Sequence, residues 1–382
     1  MPNYKEVKDS FCVLPFTHLA THPAGRVTPC CESNLLAKEN GKELNLNTHT
    51  VEEIRDSSSF KRLRNDMLNG VKNSACNFCY IREEKGLDSK RNRENRRYNF
   101  NEETYQKYIN NPLISVELRL GNTCNLKCLI CNPWSSSRWN EDAEVAGYDK
   151  VTIQREWFKE TNVYDGILRS KDDVEHLWFN GGEPTLIKEH YYLLEEFIKR
   201  GRSKNVWLEY HTNGTNLPDK LINLWKEFKF VTVTLSIDDI EDRLYYQRFP
   251  SKHDDVVRNA KKLVENGIDI TVIPSISLYN VYNIHNLYDF YKTEFNKEIE
   301  LINFVSRPKH LSVTNLPEQK KKELIDFYRT TLLPEKYIIE IEYNLFTQES
   351  KGLEKFINFT KSLDNHRKVS ILDYLPEYAE YF

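Results

Sequence analysis

The chain has 382 residues, with 54 basic against 57 acidic and a formal net charge of −3. That near balance excludes a bulk polyanion binder while leaving room for a local basic patch. Hydrophobic residues make up 39% and aromatic residues 12%, enough for a core and too much for a disordered chain. No apolar run approaches the ~18 residues of a membrane span. The opening MPNYKEVKDSFCVLPF lacks the apolar stretch of a secretory signal, so the expected compartment is the cytoplasm.

Residues 1–105 read as a first domain of short, irregular elements. Within it, Val51–Gly70 is expected as one helix, because Ile54, Phe60, Leu63 and Met67 recur at helical spacing. The stretch from Arg82 to Arg97 has seven basic and four acidic residues. Such a run reads as a solvated helix or linker, or alternatively as a docking surface for an anionic substrate.

From Leu113 onward strands and helices alternate. ISVELRL is a strand that runs into a cysteine cluster, and VEHLWFN is a strand ending at Gly181-Gly182-Glu183-Pro184. Helix Tyr191–Lys199, strand VWLEYHT, helix Asp219–Phe228 and strand FVTVTLSID follow. Then come a helix over Asp254–Asn266, strand IDITVIPSIS, helix Ile284–Phe295 and a sixth strand, IELINFV. Strand–helix units of this length imply a parallel sheet with right-handed crossovers. Six units fall short of an eight-stranded closed barrel, so residues 106–312 are expected to form an open or partial one. Residues 313–382 read as a helical extension.

All eight cysteines lie in the first 131 residues: Cys12, Cys30, Cys31, Cys76 and Cys79, then the run Cys124-x-x-x-Cys128-x-x-Cys131. In a chain of this length they point to metal or redox chemistry rather than to disulfides. Three thiolates beyond a strand's end can hold three irons of a cubane cluster and leave the fourth open to a small chelating molecule. They also suit zinc with a fourth ligand such as His211. Cys12, Cys30 or Cys31, Cys76 and Cys79 can close a four-thiolate site, whose options are again a cluster or tetrahedral zinc.

The run Cys124-Asn125-Leu126-Lys127-Cys128-Leu129-Ile130-Cys131 resembles the cluster motif of the radical S-adenosylmethionine (SAM) superfamily. Gly181-Gly182-Glu183-Pro184 resembles that family's methionine-binding motif, and HTNGT at 211–215 and LSIDD at 235–239 resemble its third and fourth strand ends. The resemblance covers about residues 113–310 and implies an α/β fold with a partial (β/α)6 radical SAM barrel. It implies a [4Fe–4S] cluster on Cys124, Cys128 and Cys131, with SAM chelating the open iron. By the same resemblance Gly181, Gly182 and Glu183 hold the SAM amino group, and Ser236 and Arg248 meet its carboxylate or ribose. Thr212, Asn213 and Asp238 are further polar contacts, although ordinary strand-end capping is the plainer role for Ser236 and Asp238. Ile130 stands where the family usually carries an aromatic residue near the adenine, so it can pack on a purine face but not stack.

CVLPFTHLATHPAGRVTPCC, VEEIRDSSSFKRLRNDMLNG and CNFC resemble the SPASM/twitch auxiliary-cluster domain, with Gly25 five residues before Cys30. This implies an auxiliary [4Fe–4S] cluster on Cys12, Cys30, Cys76 and Cys79. The module more often follows the barrel than precedes it. Cys31 is left over, either as a small buried thiol or as a hydrogen-atom donor to a substrate radical.

The combined resemblance implies reductive cleavage of SAM to a 5′-deoxyadenosyl radical, which takes a hydrogen atom from a substrate. A two-electron oxidation assisted by the auxiliary cluster is one outcome, and redox-neutral epimerisation or mutation is another. A zinc-stabilised, non-catalytic binding protein is the reading from a different class. Implied partners are a one-electron donor such as flavodoxin or ferredoxin and a small-molecule or peptide substrate. Nucleic acid has only the 82–97 stretch in its favour, and no membrane is implied. Arg119, Glu209, His211, Ser277 and Arg307 lie on or near strand ends and are candidate substrate neighbours.

Overall fold

The computed structural model describes residues 3–153, 155–170, 174–347 and 351–382. It is a mixed α/β structure whose principal sheet has seven strands. The chain divides into two units: residues 1–121, 153–210 and 219–231, and residues 122–152, 211–218 and 232–382. Among the described residues, no helix is long and apolar enough to cross a membrane.

In the first unit, β1 (His18–Thr21) turns back antiparallel onto β2 (Val27–Thr28), and a small hairpin follows from β3 (Lys38–Glu39) and β4 (Lys42–Glu43). β1 also pairs in parallel with β5 (Ser115–Arg119), which pairs with β6 (His176–Asn180), which pairs with β7 (Trp207–Thr212). The cysteine-rich N-terminal segment thus supplies strands to the same sheet as the first strand–helix units, where the sequence suggested only irregular elements.

Side chains alternate across this sheet, and residues paired in a parallel register share a face. Val116, Leu118, Leu177, Phe179, Leu208 and Tyr210 are buried on one face. There the Phe179 ring stacks on Tyr210, which also meets Trp225, with ring centroids 4.6 and 4.7 Å apart. The opposite face is polar: Ala20, Glu117 and Trp178 share one register row, and Arg119 and Asn180 the next. Helix Lys90–Arg97 reaches this polar face, with Lys90 Nζ 4.6 Å from the Trp178 ring and the Arg97 guanidinium 4.8 Å from the Trp207 ring.

In the second unit, β8 (Phe230–Leu235) pairs in parallel with β9 (Asp269–Val272), and β10 (Ser275–Ile276) with β11 (Asn303–Phe304). Helix Leu353–Arg367 anchors here, with Thr360 and Asp364 hydrogen-bonded at 2.8 Å to the Tyr279 and Tyr246 hydroxyls.

Helices Tyr191–Lys199 and Ile284–Phe295 coincide with the apolar periodicity that predicts them. Three elements differ from it. The expected helix over Val51–Gly70 is two, Val51–Arg55 and Ser58–Leu68. Asp56 closes the first, and Ser57 takes an extended ψ of 148° before the second. The strand over 268–277 breaks between β9 and β10 around Pro274, which has no N–H for a ladder. The sixth strand shrinks to the two residues of β11. The charged stretch 82–97 is neither linker nor freely solvated, because Arg91 and Glu94 are buried.

Candidate functional site

The loop of the second unit that carries Cys124, Cys128 and Cys131 is held by the backbone. Lys127 and Leu129 N–H donate to the carbonyls of Phe249 and Gln247, both at 2.8 Å, as in a short strand pairing. Trp139 Nε1 donates to the Cys128 carbonyl at 2.7 Å. Asn213 Nδ2 donates to Asn125 Oδ1 at 2.9 Å and lies 3.9 Å from Cys124 Sγ, while Asn125 Nδ2 donates to Thr215 Oγ1 at 2.8 Å. Cys128 is buried, and Cys124 and Cys131 are half-buried.

Arg248 is half-buried beside Cys128 and Cys131. Its Nη1 pairs with Asp238 Oδ2, and its Nε has no hydrogen-bond partner. Burial opposes the Arg248 charge, but Asp238, Cys128 and Cys131 hold it firmly. A hydrogen bond from Cys131 draws the Cys128 thiol toward its anion, and Arg248 acts in the same direction, while Cys131 is pushed up. Asp238 is fully engaged, since its Oδ1 accepts from the Ser275 N–H and its carbonyl from Asn280 Nδ2, both at 2.8 Å. Its place is behind Arg248 as an orienting group.

Of the other expected SAM contacts in this unit, Thr212 Oγ1 accepts from Gly214 N–H at 3.1 Å and Asn213 Oδ1 from Thr215 N–H at 2.9 Å. Ser236 N–H donates to the Thr212 carbonyl at 2.8 Å, and Ile130 is half-exposed at the end of the cysteine run. The buried, unsatisfied Arg248 donor beside three thiols suits a carboxylate-bearing ligand next to a cluster.

The glycine motif lies in the first unit, past the end of β6. Gly181 has φ +128°, and a Cβ there would stand 2.8 Å from Leu120 N and 3.0 Å from the Gly121 carbonyl. Only glycine permits this approach. Gly182 N–H donates to the Gly121 carbonyl at 3.1 Å. Glu183 is fully buried, and its Oε1 accepts from the Thr185 N–H at 3.1 Å and Oγ1 at 2.8 Å.

The N-terminal cysteines form a separate site in the first unit. Cys12, Cys30, Cys76 and Cys79 line one pocket with Lys90 and Arg91, and Cys31 is not among its lining residues. Burial raises all four lining thiols, and neighbouring sulfurs repel further charge at Cys12, Cys30 and Cys76. A bound metal centre is the usual counterweight, because thiolate ligation needs deprotonated sulfur. The donor set fits a four-thiolate cluster. Among the described residues, no three His, Cys, Asp or Glu side chains converge as a single-ion site. Gly25 earns its place before Cys30 by a φ of +85°, and a Cβ there would collide with Asn45.

The Cys31 thiol is pushed up to about 12 by burial, against the pull of Lys90, with Glu117, Glu32 and Arg119 as its other charged neighbours. Glu117 and Arg119 lie on the polar face of the sheet, while Lys90 and Glu32 line the cysteine pocket, so Cys31 sits at the border of the two. Glu117 Oε1 accepts from Arg119 Nε at 3.1 Å and Asn180 Nδ2 at 2.9 Å, and Oε2 stands 3.9 Å from His18 Nε2. Burial favours the neutral acid, yet His18, Arg119 and Lys90 together hold Glu117 well below the usual carboxylate range. His176 Nε2 stands 3.2 Å from Glu209 Oε2. Arg119 and Glu209 were legible as strand-end candidates, whereas His18, Lys90, Glu117 and Asn180 were missed. For Glu117 and Asn180 the signal was the polar residue at alternate positions of SVELR and HLWFN, whereas His18 and Lys90 come from distant segments. Ser277 is fully buried and bonded locally to the Tyr279 N–H at 3.2 Å, so it offers no open contact.

Two cysteine sites, one of three thiols with a half-buried arginine and one of four, give this α/β protein donor sets that suit iron–sulfur clusters. Residues 118–292 match the family model of the radical SAM superfamily, and residues 12–80 match that of an iron–sulfur cluster-binding domain, SPASM. These segments carry a radical SAM domain and, N-terminal to it, a SPASM domain, and such domains imply iron–sulfur clusters and bound SAM.

No curated protein matches the chain. Among solved structures, a polyhistidine-tagged anSMEcpe with bound AdoMet is 21% identical, with a TM-score of 0.40 over 56% of this chain and 60% of that one. Native anSMEcpe with bound AdoMet is 18% identical, with a TM-score of 0.43 over 62% and 68%. SuiB of Streptococcus suis bound to its precursor peptide SuiA is 16% identical, with a TM-score of 0.38 over 78% and 69%. The chain thus spans about 60% of the tagged anSMEcpe.

Proposed function

We propose that this protein uses SAM to start a radical reaction on a small-molecule or peptide substrate, and that the net result is a two-electron oxidation. The observation that carries the reading is the half-buried Arg248, fixed by Asp238 and left with a buried, unsatisfied Nε, beside Cys128 and Cys131. Cys124, Cys128 and Cys131 would hold a cluster whose chemistry, when bound, would be one-electron reduction of SAM to a radical able to take a substrate hydrogen.

The chain's own residues would do the rest. Arg248 presents its guanidinium to the SAM carboxylate, and Asp238 fixes its orientation. Gly181 and Gly182 expose backbone groups to the SAM amino group, and Glu183 braces their turn. Thr212, Asn213 and Ser236 shape the strand ends around the nucleoside, and Ile130 packs on the adenine. In the first unit Cys12, Cys30, Cys76 and Cys79 would hold the auxiliary cluster, which would accept the second electron from the substrate radical, with Lys90 and Arg91 balancing its charge. An acidic carrier such as flavodoxin or ferredoxin would deliver the electron. The residues divide into a SPASM segment over 1–105, a radical SAM segment over 106–312 and a helical extension over 313–382.

Anaerobic reconstitution tests the reading. About eight irons per chain and 5′-deoxyadenosine formation with SAM and a reductant are expected. A colourless protein with two zincs and no SAM cleavage would overturn it.

A second reading rests on Cys31, which does not line the cysteine pocket and has Glu117 and Arg119 of the polar sheet face among its charged neighbours. A thiol there would return a hydrogen atom to a substrate radical, as an epimerase requires, with an external reductant resetting it. Uptake of one solvent deuterium per product, lost in Cys31→Ser, distinguishes this from oxidation. The same product from Cys31→Ser sinks it.

A further inference from the structure

A pocket of the second unit belongs to none of the sites above. It measures about 880 Å³, within the range of small-molecule sites. It opens past the C-terminal end of β11, where Phe304 is followed by Arg307 and Lys309, and Lys355 and Tyr148 complete its wall. Its charge is one-sided. Arg307, Lys309 and Lys355 are exposed, and among the described residues their side-chain cations have neither hydrogen bond nor ion pair. No described lining residue is an aspartate or glutamate.

Elsewhere on this chain exposed cations commonly pair with acids, as Lys320 does with Glu380 at 3.1 Å and Arg329 with Glu342 at 3.0 Å. Three uncompensated cations around one concavity are a different arrangement. A second observation points the same way. His310, only 6% exposed, lines the pocket with its Nε2 lacking a hydrogen-bond partner among the described residues. The ring is held by Phe359, with centroids 4.5 Å apart.

We propose that this pocket binds a small molecule carrying a phosphoryl group. One carboxylate matches one cation, whereas a compact dianion or trianion can answer Arg307, Lys309 and Lys355 together. His310 Nε2 adds a neutral hydrogen-bonding contact at the buried end. The Phe304 and Tyr148 rings offer an apolar wall to the organic part, a sugar or a base. The site recognises charge and a ring, with no thiol and no catalytic pair in its lining.

Calorimetric titration of the reconstituted full chain with inorganic pyrophosphate, and separately with citrate at equal ionic strength, tests the assignment. Pyrophosphate binding in the micromolar range is expected. It should weaken at least about thirtyfold in R307Q/K309Q/K355Q, each exposed cation accounting for part of the loss. The single variant Arg307→Gln should show an intermediate loss and covers the case of a triple variant that does not fold. K226Q/K229Q, which removes two exposed lysines of the first unit, should leave binding unchanged. Equal weakening in that control would reduce the effect to net charge and overturn the site. So would citrate binding as tightly as pyrophosphate, or no pyrophosphate binding below millimolar concentration. The readout is binding without turnover, so it stands or falls apart from SAM cleavage.

Discussion

Arg367 donates from Nη2 to the Lys127 carbonyl at 2.8 Å, tying the last residue of helix Leu353–Arg367 to the loop between Cys124 and Cys128. The same nitrogen reaches Asp142 Oδ2 at 2.6 Å, and Lys127 Nζ reaches Asp142 Oδ1 at 2.9 Å. A C-terminal helix, remote in sequence, therefore braces the three-cysteine loop through one fully buried carboxylate.

Arg367→Ala should cost about 1.5–3 kcal/mol, because it removes a charged hydrogen bond and leaves Asp142 with one cation fewer. Denaturant unfolding reads this directly. Iron bound at the three-cysteine site should fall while auxiliary iron persists, and Arg367→Lys should lie between. Unchanged iron at both sites would mean that the brace does not order the loop.

Gly181→Ala should be severe. The added Cβ meets backbone atoms of Leu120 and Gly121 that cannot swing aside, in a conformation that L residues avoid. A loss of about 1–3 kcal/mol and a strong drop in SAM cleavage are expected. Gly147→Ala, at φ +73° with nothing near its Cβ position, carries only the backbone term and serves as the comparison.

The polar sheet face should shape the acid limb of stability. Burial lowers His18, so the unfolded chain takes up its proton first, and stability declines as pH falls below about 6.5. Glu117 is also lowered in the fold, so its contribution is complete above about 4.5 and is lost as pH falls further. Urea midpoints across pH 3–8 should therefore show two successive declines. His18→Asn should reduce the upper one, which the likewise lowered His22, His190, His285 and His310 share, and Glu117→Gln should reduce the lower; declines unaffected by either would contradict the assignment.

The adjacent cysteines should separate cleanly. Cys30→Ser should lose the auxiliary cluster, seen as about four fewer irons per chain. Cys31→Ser should retain full iron, because Cys31 does not line the cysteine pocket. Equal losses from both would mean that the loop exchanges one sulfur for the other.

Spacing alone decided much of this protein. Cys124-x-x-x-Cys128-x-x-Cys131 and the Gly181-Gly182-Glu183-Pro184 turn are local patterns, since ligands and glycines a few residues apart are set by loop geometry. Alternating strands and helices likewise fixed the α/β class, because hydrophobic periodicity is a local property. Other features arose only when distant segments met. β1 joining β5, Lys90 lying over Trp178, Asp238 engaged behind Arg248 and Arg367 bracing Lys127 are all nonlocal. The near-neutral charge of −3 could not reveal the cations around Arg307 either. A sum over the chain cancels charges that folding gathers on one wall.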